Sequence, residues 1–448
     1  MNAQAHSPKS VVIVGGGIGG LSSAYDARHI LHPTDKVTVV SANDLFQFTP
    51  SNPWVAIRKR SADDISLPLH RILPKYKIDF IHGTAVKLDP KEQLLTLQDG
   101  KIVSYDYLII ATGPKLGFDE VPGMREWSAS ICTTPHAAST AEALDRIVKE
   151  PGPIVIGATQ GASCFGPAYE FALLVHFELQ RRGGNALLDQ CKITFVTPEP
   201  YIGHLGLGGA GKSKEILERS LKARNIDYIT NCRVNRVSSD SVTIEHYTGN
   251  KNATEQKTLS SKFTMLIPPF RGHSVWASVP GLTDKNGMIA VNAQQQSRAF
   301  PTIFGVGVCV SFPPLEKTMV PTGVPKTGYM IESMGTAAVK NIKFLINDSP
   351  TNEFVALPHI PTLNGLCITD FGEDGAIFLT LPQIPPRRLD VTLNGKVATL
   401  GKIAFERYFL HKIESGDTDP YYEKYLLHLI GIDRTLTQPS TLSEGQPA

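Results

Sequence analysis

Cysteine is scarce: six in 448 residues, at positions 132, 164, 191, 232, 309 and 367, widely scattered and with no CxxC pair. That spacing counts against a zinc or iron–sulfur centre, so no metal is expected. In a reducing compartment the default role of each thiol is that of a small buried hydrophobe, and Cys191, Cys232 and Cys309 are read so. Charge of one sign is also lacking. The net value is +2, which gives no reason to invoke nucleic acid. No window approaches ~18 uninterrupted apolar residues, which excludes a spanning helix. The opening "MNAQAHSPKS" has no apolar h-region, and no removable signal peptide is expected. What is present is 42% hydrophobic and 19% charged residues with 38 glycines and 32 prolines, a globular composition long enough for two or three units.

The glycines are placed where they carry information. "SVVIVGGGIGGLSSAYDARHIL" reads as a strand, a Gly-rich turn and a helix, with Gly15, Gly17 and Gly20 in GxGxxG spacing. Gly15 allows the tight turn, Gly17 lets backbone approach a pyrophosphate, and Gly20 permits close helix–strand packing. The second strand, "KVTVVSAND", should end in an acid for the ribose hydroxyls. It ends instead in Ser41, with Asp44 three residues on. "YDYLIIATGPKLG" brings a buried strand to Ala111-Thr112-Gly113, and "PTIFGVGVCVS" supplies a late strand ending at Gly307, with Val308 where an Asp is usual. Three such signals point to FAD rather than NAD at the first site.

These pieces predict an α/β protein with two Rossmann-like dinucleotide-binding domains. An FAD domain (1–125 and 295–385) is split by a second, NAD-type unit (126–294), followed by C-terminal amphipathic helices (386–432) and a disordered tail (433–448). The polar stretch 239–261 reads as a hairpin. The second unit is irregular. In "PIVIGATQGASCFGPAYEFA" the turn after the strand is about twice the length of a hexad, and the following strand, ending "TFVTPEPYIGHLG", shows no clear nucleotide-selecting acid or Arg. Cys164 rides on this turn. A thiol is expected to face the flavin where a nicotinamide nucleotide would otherwise lie.

The motifs "GGGIGG", "FTPSNPWV", "ATGPKL", "SICT", "GASCFGPAYEFA", "EPYIGHLG", "PTGVPKTGYMIESM" and "LPQIPPR" span the chain from residue 15 to about 430, and together it resembles a sulfide:quinone oxidoreductase. The resemblance implies oxidation of hydrogen sulfide on one face of FAD and reduction of a membrane quinone, of ubiquinone or menaquinone type, on the other. By motif, Cys164 and Cys367 match the pair that carries a persulfide or polysulfide bridge, and Cys132 matches a third family cysteine. Glu170 is implied to handle protons near the sulfide. His136 and His204 match family histidines near the active site, whereas His176, His273 and His359 take the ordinary reading of satisfied core or surface groups. Sulfur exchange needs thiolate character, so a lowered cysteine pKa is expected, supplied by a helix N-terminus or a His. "PTGVPKTGYMIESM" should start a helix near Lys326 or Thr327, where amides and the ammonium stabilise charge on the reduced ring.

A quinone needs an apolar slot reachable from lipid. Candidates are "LGKIAFERYFLHKI" (400–413) and "DPYYEKYLLHLIGI" (419–432). Phe405 and Phe409 are expected to stack with the quinone, and Ile368 stands where the family often has an aromatic. Six Lys/Arg against two acids between Arg387 and Lys412 predict a basic amphipathic helix at the bilayer interface. The expected location is therefore peripheral and monotopic, on the cytoplasmic face by default, and a homo-oligomer is compatible with the pattern. Two alternatives stand beside this: an NADH:quinone reductase on the same fold, and a flavoprotein subunit passing electrons to a haem partner.

Overall fold

The computed structural model describes residues 6–248, 254–348, 353–418 and 433–437. Its first sheet is parallel. The strands lie in the order Ile303–Gly305, Tyr107–Ile110, Ser10–Val14, Lys36–Ser41, Asp79–His82. The central strands are near-continuous runs of β-branched and apolar residues, as a sheet covered on both faces requires. Ile303–Gly305 pairs directly with Tyr107–Ile110, so the chain leaves this sheet after residue 110 and returns to complete it. Between these visits lies a second parallel sheet, ordered Asp227–Ile229, Ile193–Val196, Ile154–Ala158, Phe263–Ile267. The expected hairpin consists of Ser241–Tyr247 paired with Thr254–Ser260, and its tip lies outside the described residues.

A third sheet is antiparallel: Gly365–Asp370, Gly375–Leu381 and Leu389–Asn394. It crosses the boundary expected at 385/386, because Leu389–Asn394 pairs along its full length with Gly375–Leu381. The prolines of "LPQIPPR" lie in the connection between those two strands. Helix Lys396–Ser415 then packs back over the first half of the chain. Tyr25 Oη donates to the carbonyl of Ile413 at 2.7 Å, and Phe409 sits 5.1 Å, ring to ring, from Phe48. The expected helix at 419–432 and most of the 433–448 tail lie outside the described residues. No helix among the described residues is long and apolar enough to cross a membrane.

Candidate active site

The two strand–turn–helix units meet at one cavity of about 670 Å³. In the first, Ser10–Val14 passes through Gly15–Gly17 into helix Ile18–Ile30. Gly15 has φ +126°, and a Cβ there would stand 2.2 Å from the carbonyl oxygen of Ala111. A Cβ at Gly20 would stand 1.8 Å from the Gly15 carbonyl, so helix and strand approach as closely as backbone allows. A Cβ at Gly17 would meet nothing within 4 Å. Gly17 caps the helix without a side-chain hydrogen bond, which leaves the amides of the first turn free for an anion. The residues present therefore fit a dinucleotide, with its pyrophosphate at Gly17. Ser41, Ala111, Thr112, Gly113, Gly307, Lys326 and Thr327 line the same cavity. Asp44 turns away and pairs with His70 at 2.7 Å, so no acid from this strand end reaches a ribose. A long helix begins at Gly328, directly after Thr327.

In the second unit the strand ends at Ala158 and the helix starts at Gly166, leaving Thr159–Phe165 as the turn. Two backbone hydrogen bonds staple that turn to the 321–323 segment: Gly161 N–H to Pro321 O at 2.7 Å and Gly323 N–H to Ala162 O at 2.8 Å. Cys164, Cys132 and Cys367 all line the cavity as free thiols. A Cβ on Gly166 would lie 3.5 Å from Cys367 Sγ, which sets the Cys367 strand against the start of the Cys164 helix. Cys191, Cys232 and Cys309 are buried in the core.

The thiols depart from expectation in their acidity. Burial pushes Cys164 up to about 12, aided by charge on Cys132 and Cys367. Burial likewise lifts Cys132 to about 11 and Cys367 to about 11, the latter with Glu170 adding to the rise and Lys402 opposing it. Desolvation of the charged form is the largest influence on each sulfur, and no histidine is among the groups that act on them.

Glu170 does line the cavity and is buried, 3% exposed. It accepts hydrogen bonds from the Asp370 amide, at 3.1 Å, and from Lys402 Nζ. Burial raises its pKa, with Lys402 pulling it back. Lys402 is the residue that the sequence reading misassigned. It was expected on a basic membrane face, yet it is buried, lines the cavity beside Glu170 and stands 4.9 Å over the Trp54 ring. Lys412 is also turned inward, paired with Glu332 at 2.8 Å, and Arg387 is held by Asp390 at 2.9 Å and the Leu207 carbonyl. Two of the six basic residues, Lys402 and Lys412, are therefore buried, while Arg388, Lys396 and Arg407 stay exposed. A signal was available: Lys402, Glu406, Phe409 and Ile413 recur at helical spacing on the buried face.

The two expected histidines do not line the cavity. His136 stacks edge-on against Phe118 at 5.6 Å, near Arg125, with burial lowering its pKa. His204 is buried within the 203–211 loop. Its Nε2 pairs with Glu316 at 2.5 Å and its Nδ1 accepts from the Gly206 amide at 3.1 Å. Both ring nitrogens are thus committed to shaping that loop. His273, read as a bystander, does line the cavity.

Lys326 faces the cavity 4.8 Å over the Phe312 ring, its pKa lowered to about 8 by burial. Phe405, Phe409 and Ile368 line the same space. Phe48, from the quoted "FTPSNPWV", joins them, its ring 5.9 Å from Phe405. Glycine turn, sulfur cluster, buried Glu–Lys pair and aromatic wall are thus parts of one enclosure.

The comparisons with known proteins agree with this geometry. Residues 9–330 match the family model of the pyridine nucleotide-disulphide oxidoreductases. The chain is 44% identical over 423 residues to the sulfide-quinone reductase of Aquifex aeolicus, covering 94% of this chain and 95% of that protein. A more distant relative is the mitochondrial sulfide:quinone oxidoreductase of Dictyostelium discoideum, 24% identical over 68% of this chain and 66% of its own length. Among solved structures, the sulfide:quinone oxidoreductase of Aquifex aeolicus superposes with a TM-score of 0.90 at 42% identity, over 98% of this chain and all of that one. The NDH2 of Plasmodium falciparum in complex with NADH shares the fold at a TM-score of 0.69 and 15% identity, over 93% of this chain and 99% of that one.

Proposed function

The chain belongs to the sulfide-quinone reductases within the pyridine nucleotide-disulphide oxidoreductase family, and on that premise we propose how its residues divide the work. The protein is an FAD-dependent oxidoreductase that oxidises sulfide and passes the electrons to a quinone. Per turnover, HS⁻ yields S⁰, one proton and two electrons; the quinone takes two electrons and two protons to become the quinol. FAD, when bound, supplies the two-electron relay between them.

The observation that carries the residue assignment is that Gly15–Gly17, the three free thiols and the Phe405/Phe409 wall line one continuous cavity. Cys164 and Cys367 hold sulfur between them, and Cys132 borders the same space. The attacking sulfur is the substrate's hydrosulfide: it attacks a sulfur of the bridge between Cys164 and Cys367, and the bond from that sulfur to one cysteine breaks. That cysteine leaves as a thiolate, and re-closing the bridge one sulfur longer releases a proton and the two electrons that FAD, when bound, would accept. Glu170 and Lys402, hydrogen-bonded to each other and lining the cavity with Cys367 and Phe405, hold and move protons: Lys402 donates towards the quinone oxygen with Glu170 as its partner. The start of the Gly328 helix and Lys326 would hold the flavin ring of FAD and, when it is bound, would favour negative charge on it. Phe405 and Phe409, backed by Phe48, stack on the quinone, and Ile368 forms part of the wall. His136 and His204 support the site from outside it.

Membrane contact has a different basis from the one expected. Leu389, Val391 and Leu393 alternate onto one exposed face of their strand, and Val397 and Leu400, each 66% exposed, follow on the next helix. This apolar ledge, with Lys396 and Arg407 exposed beside it, is what rests on lipid and admits the quinone.

Anaerobic titration of the holoenzyme tests the assignment. Cys164→Ala and Cys367→Ala should each keep FAD but lose sulfide-dependent reduction of decyl-quinone. Full activity in either would remove the sulfur relay. Bleaching of the flavin by NADH, with sulfide silent, would favour the NADH:quinone reductase reading instead.

A further inference from the structure

Glu199 takes no part in the chemistry above, although it is fully enclosed close to it. It follows the strand Ile193–Val196, near the tip from which an acid would reach the ribose in a working nucleotide unit. Here it is turned inward. Its carboxylate accepts from Tyr169 Oη and Thr197 Oγ1, each at 2.7 Å, and from the Leu205 amide at 2.6 Å, with no cation among these partners. Burial pushes the carboxyl up to about 7 against the pull of those donors. An enclosed anion without a counter-charge costs several kcal/mol. Its donors are therefore informative about what the ion holds in place.

They hold a strained wall of the cavity. Leu205 lines the cavity with φ +59°, a left-handed conformation that costs a branched residue roughly 1–3 kcal/mol. Its amide is the one bonded to Glu199. The Gly203 amide donates to Tyr169 Oη at 3.1 Å, so the Tyr169–Glu199 pair grips the loop at two points. On the other side of the loop, a Cβ at Gly206 would stand 2.1 Å from the Gly323 carbonyl and 3.3 Å from the Phe165 ring. Phe165 is the neighbour of Cys164, and Tyr169 the neighbour of Glu170. One carboxylate thus ties the loop to the start of the helix that carries the sulfur and proton chemistry.

We infer that Glu199 is a positioning residue for the sulfide half-reaction: by seating Leu205 and Tyr169 it fixes the cavity wall against the Cys164 turn. The inference rests on Cys164 being a sulfur-carrying thiol. Its test uses the FAD-loaded full chain and reads three quantities: rapid-mixing reduction of the flavin by sulfide, reoxidation of the dithionite-reduced flavin by decyl-quinone, and Tm. Glu199→Leu exchanges a costly ion for unpaired donors, so Tm should stay within a few degrees. Its sulfide step should slow roughly 10–100-fold, as misplacement of a reacting group does, while quinone reoxidation stays within about twofold. Glu199→Gln, which keeps an acceptor for the Leu205 amide, should recover to within about threefold of the wild-type sulfide rate. Tyr169→Phe should show the same split at a smaller loss, and it decides the matter if Glu199→Leu does not fold. A wild-type sulfide rate in Glu199→Leu, or a parallel fall of both half-reactions and Tm, overturns the inference. Cys164→Ala is run alongside. If that variant still accepts electrons from sulfide normally, the sulfur-relay reading falls and this inference with it; if only the Glu199 and Tyr169 variants are normal, the inference falls alone.

Discussion

The chain builds a strand–turn–helix twice and uses it for opposite purposes. In the first unit three residues, Gly15–Gly17, join strand to helix, and backbone packs on backbone so tightly that only the side of Gly17 is open. In the second, seven residues, Thr159–Phe165, fill the same position and carry a thiol into the cavity. A short glycine turn leaves helix amides for a ligand's phosphates. A long, stapled turn occupies that space itself and presents a side chain. On one architecture, turn length therefore separates a unit that leaves its helix amides open from one that presents a thiol to the cavity.

The comparison breaks first at the sulfurs. Cys164→Ala and Cys367→Ala should slow sulfide-dependent flavin reduction by roughly 10³-fold or more, the scale lost with a covalent nucleophile, with flavin content unchanged. The matching break in the first unit is Gly20→Ala. Its Cβ would collide with the Gly15 carbonyl, so the expected product is unfolded or flavin-free protein, read by circular dichroism and flavin absorbance. Gly17→Ala sharpens the contrast, because nothing in the protein opposes its Cβ. Tm of the flavin-free protein should hold while FAD affinity falls at least ~10-fold, a loss of about 1.4 kcal/mol.

Next comes the buried pair. Glu170→Gln leaves Lys402 enclosed without its anion, an arrangement that costs about 3–5 kcal/mol. Differential scanning calorimetry at pH 7 should show the drop, and Glu170→Gln/Lys402→Met should recover much of it without recovering quinone turnover. The smallest effect concerns Lys326, whose folded pKa of about 8 lies below its unfolded value. Between those two values the unfolded chain binds more protons, so stability of the flavin-free protein should rise with pH across that window and the penalty is present in full below it. Lys326→Met should therefore stabilise the flavin-free protein at pH 7 by on the order of 1–3 kcal/mol and abolish that rise. It should also make the bound flavin harder to reduce. A destabilised Lys326→Met would contradict the burial of its charge.

Much of this contrast was legible in the sequence because it is local. Glycine spacing, the apolar run Tyr107–Ile110 and the distance from strand to Glu170 are all read within a few dozen residues. Membership of the cavity by Cys132, Cys164 and Cys367 followed from motif resemblance. What was not legible depends on partners far along the chain. Lys402 looks like a solvated base when counted with its neighbours, and only folding sets it against Glu170, 232 residues away. His136 and His204 sit in the right motifs, but Phe118 and Glu316 claim them. The thiol acidities depend on how much water the fold excludes, which no local pattern encodes. The boundary expected at 385/386 falls inside a sheet whose third strand, Leu389–Asn394, is mostly exposed and so lacks a core signature.

The claim that thiols occupy the space of a pyridine nucleotide is tested most directly by watching the flavin absorbance of purified, anaerobic holoenzyme as sulfide and NADH are added in turn. The account predicts that sulfide bleaches it, that NADH does not, and that Cys164→Ala responds to neither. Bleaching by NADH at a rate matching sulfide, or an unchanged sulfide response in Cys164→Ala, would contradict it.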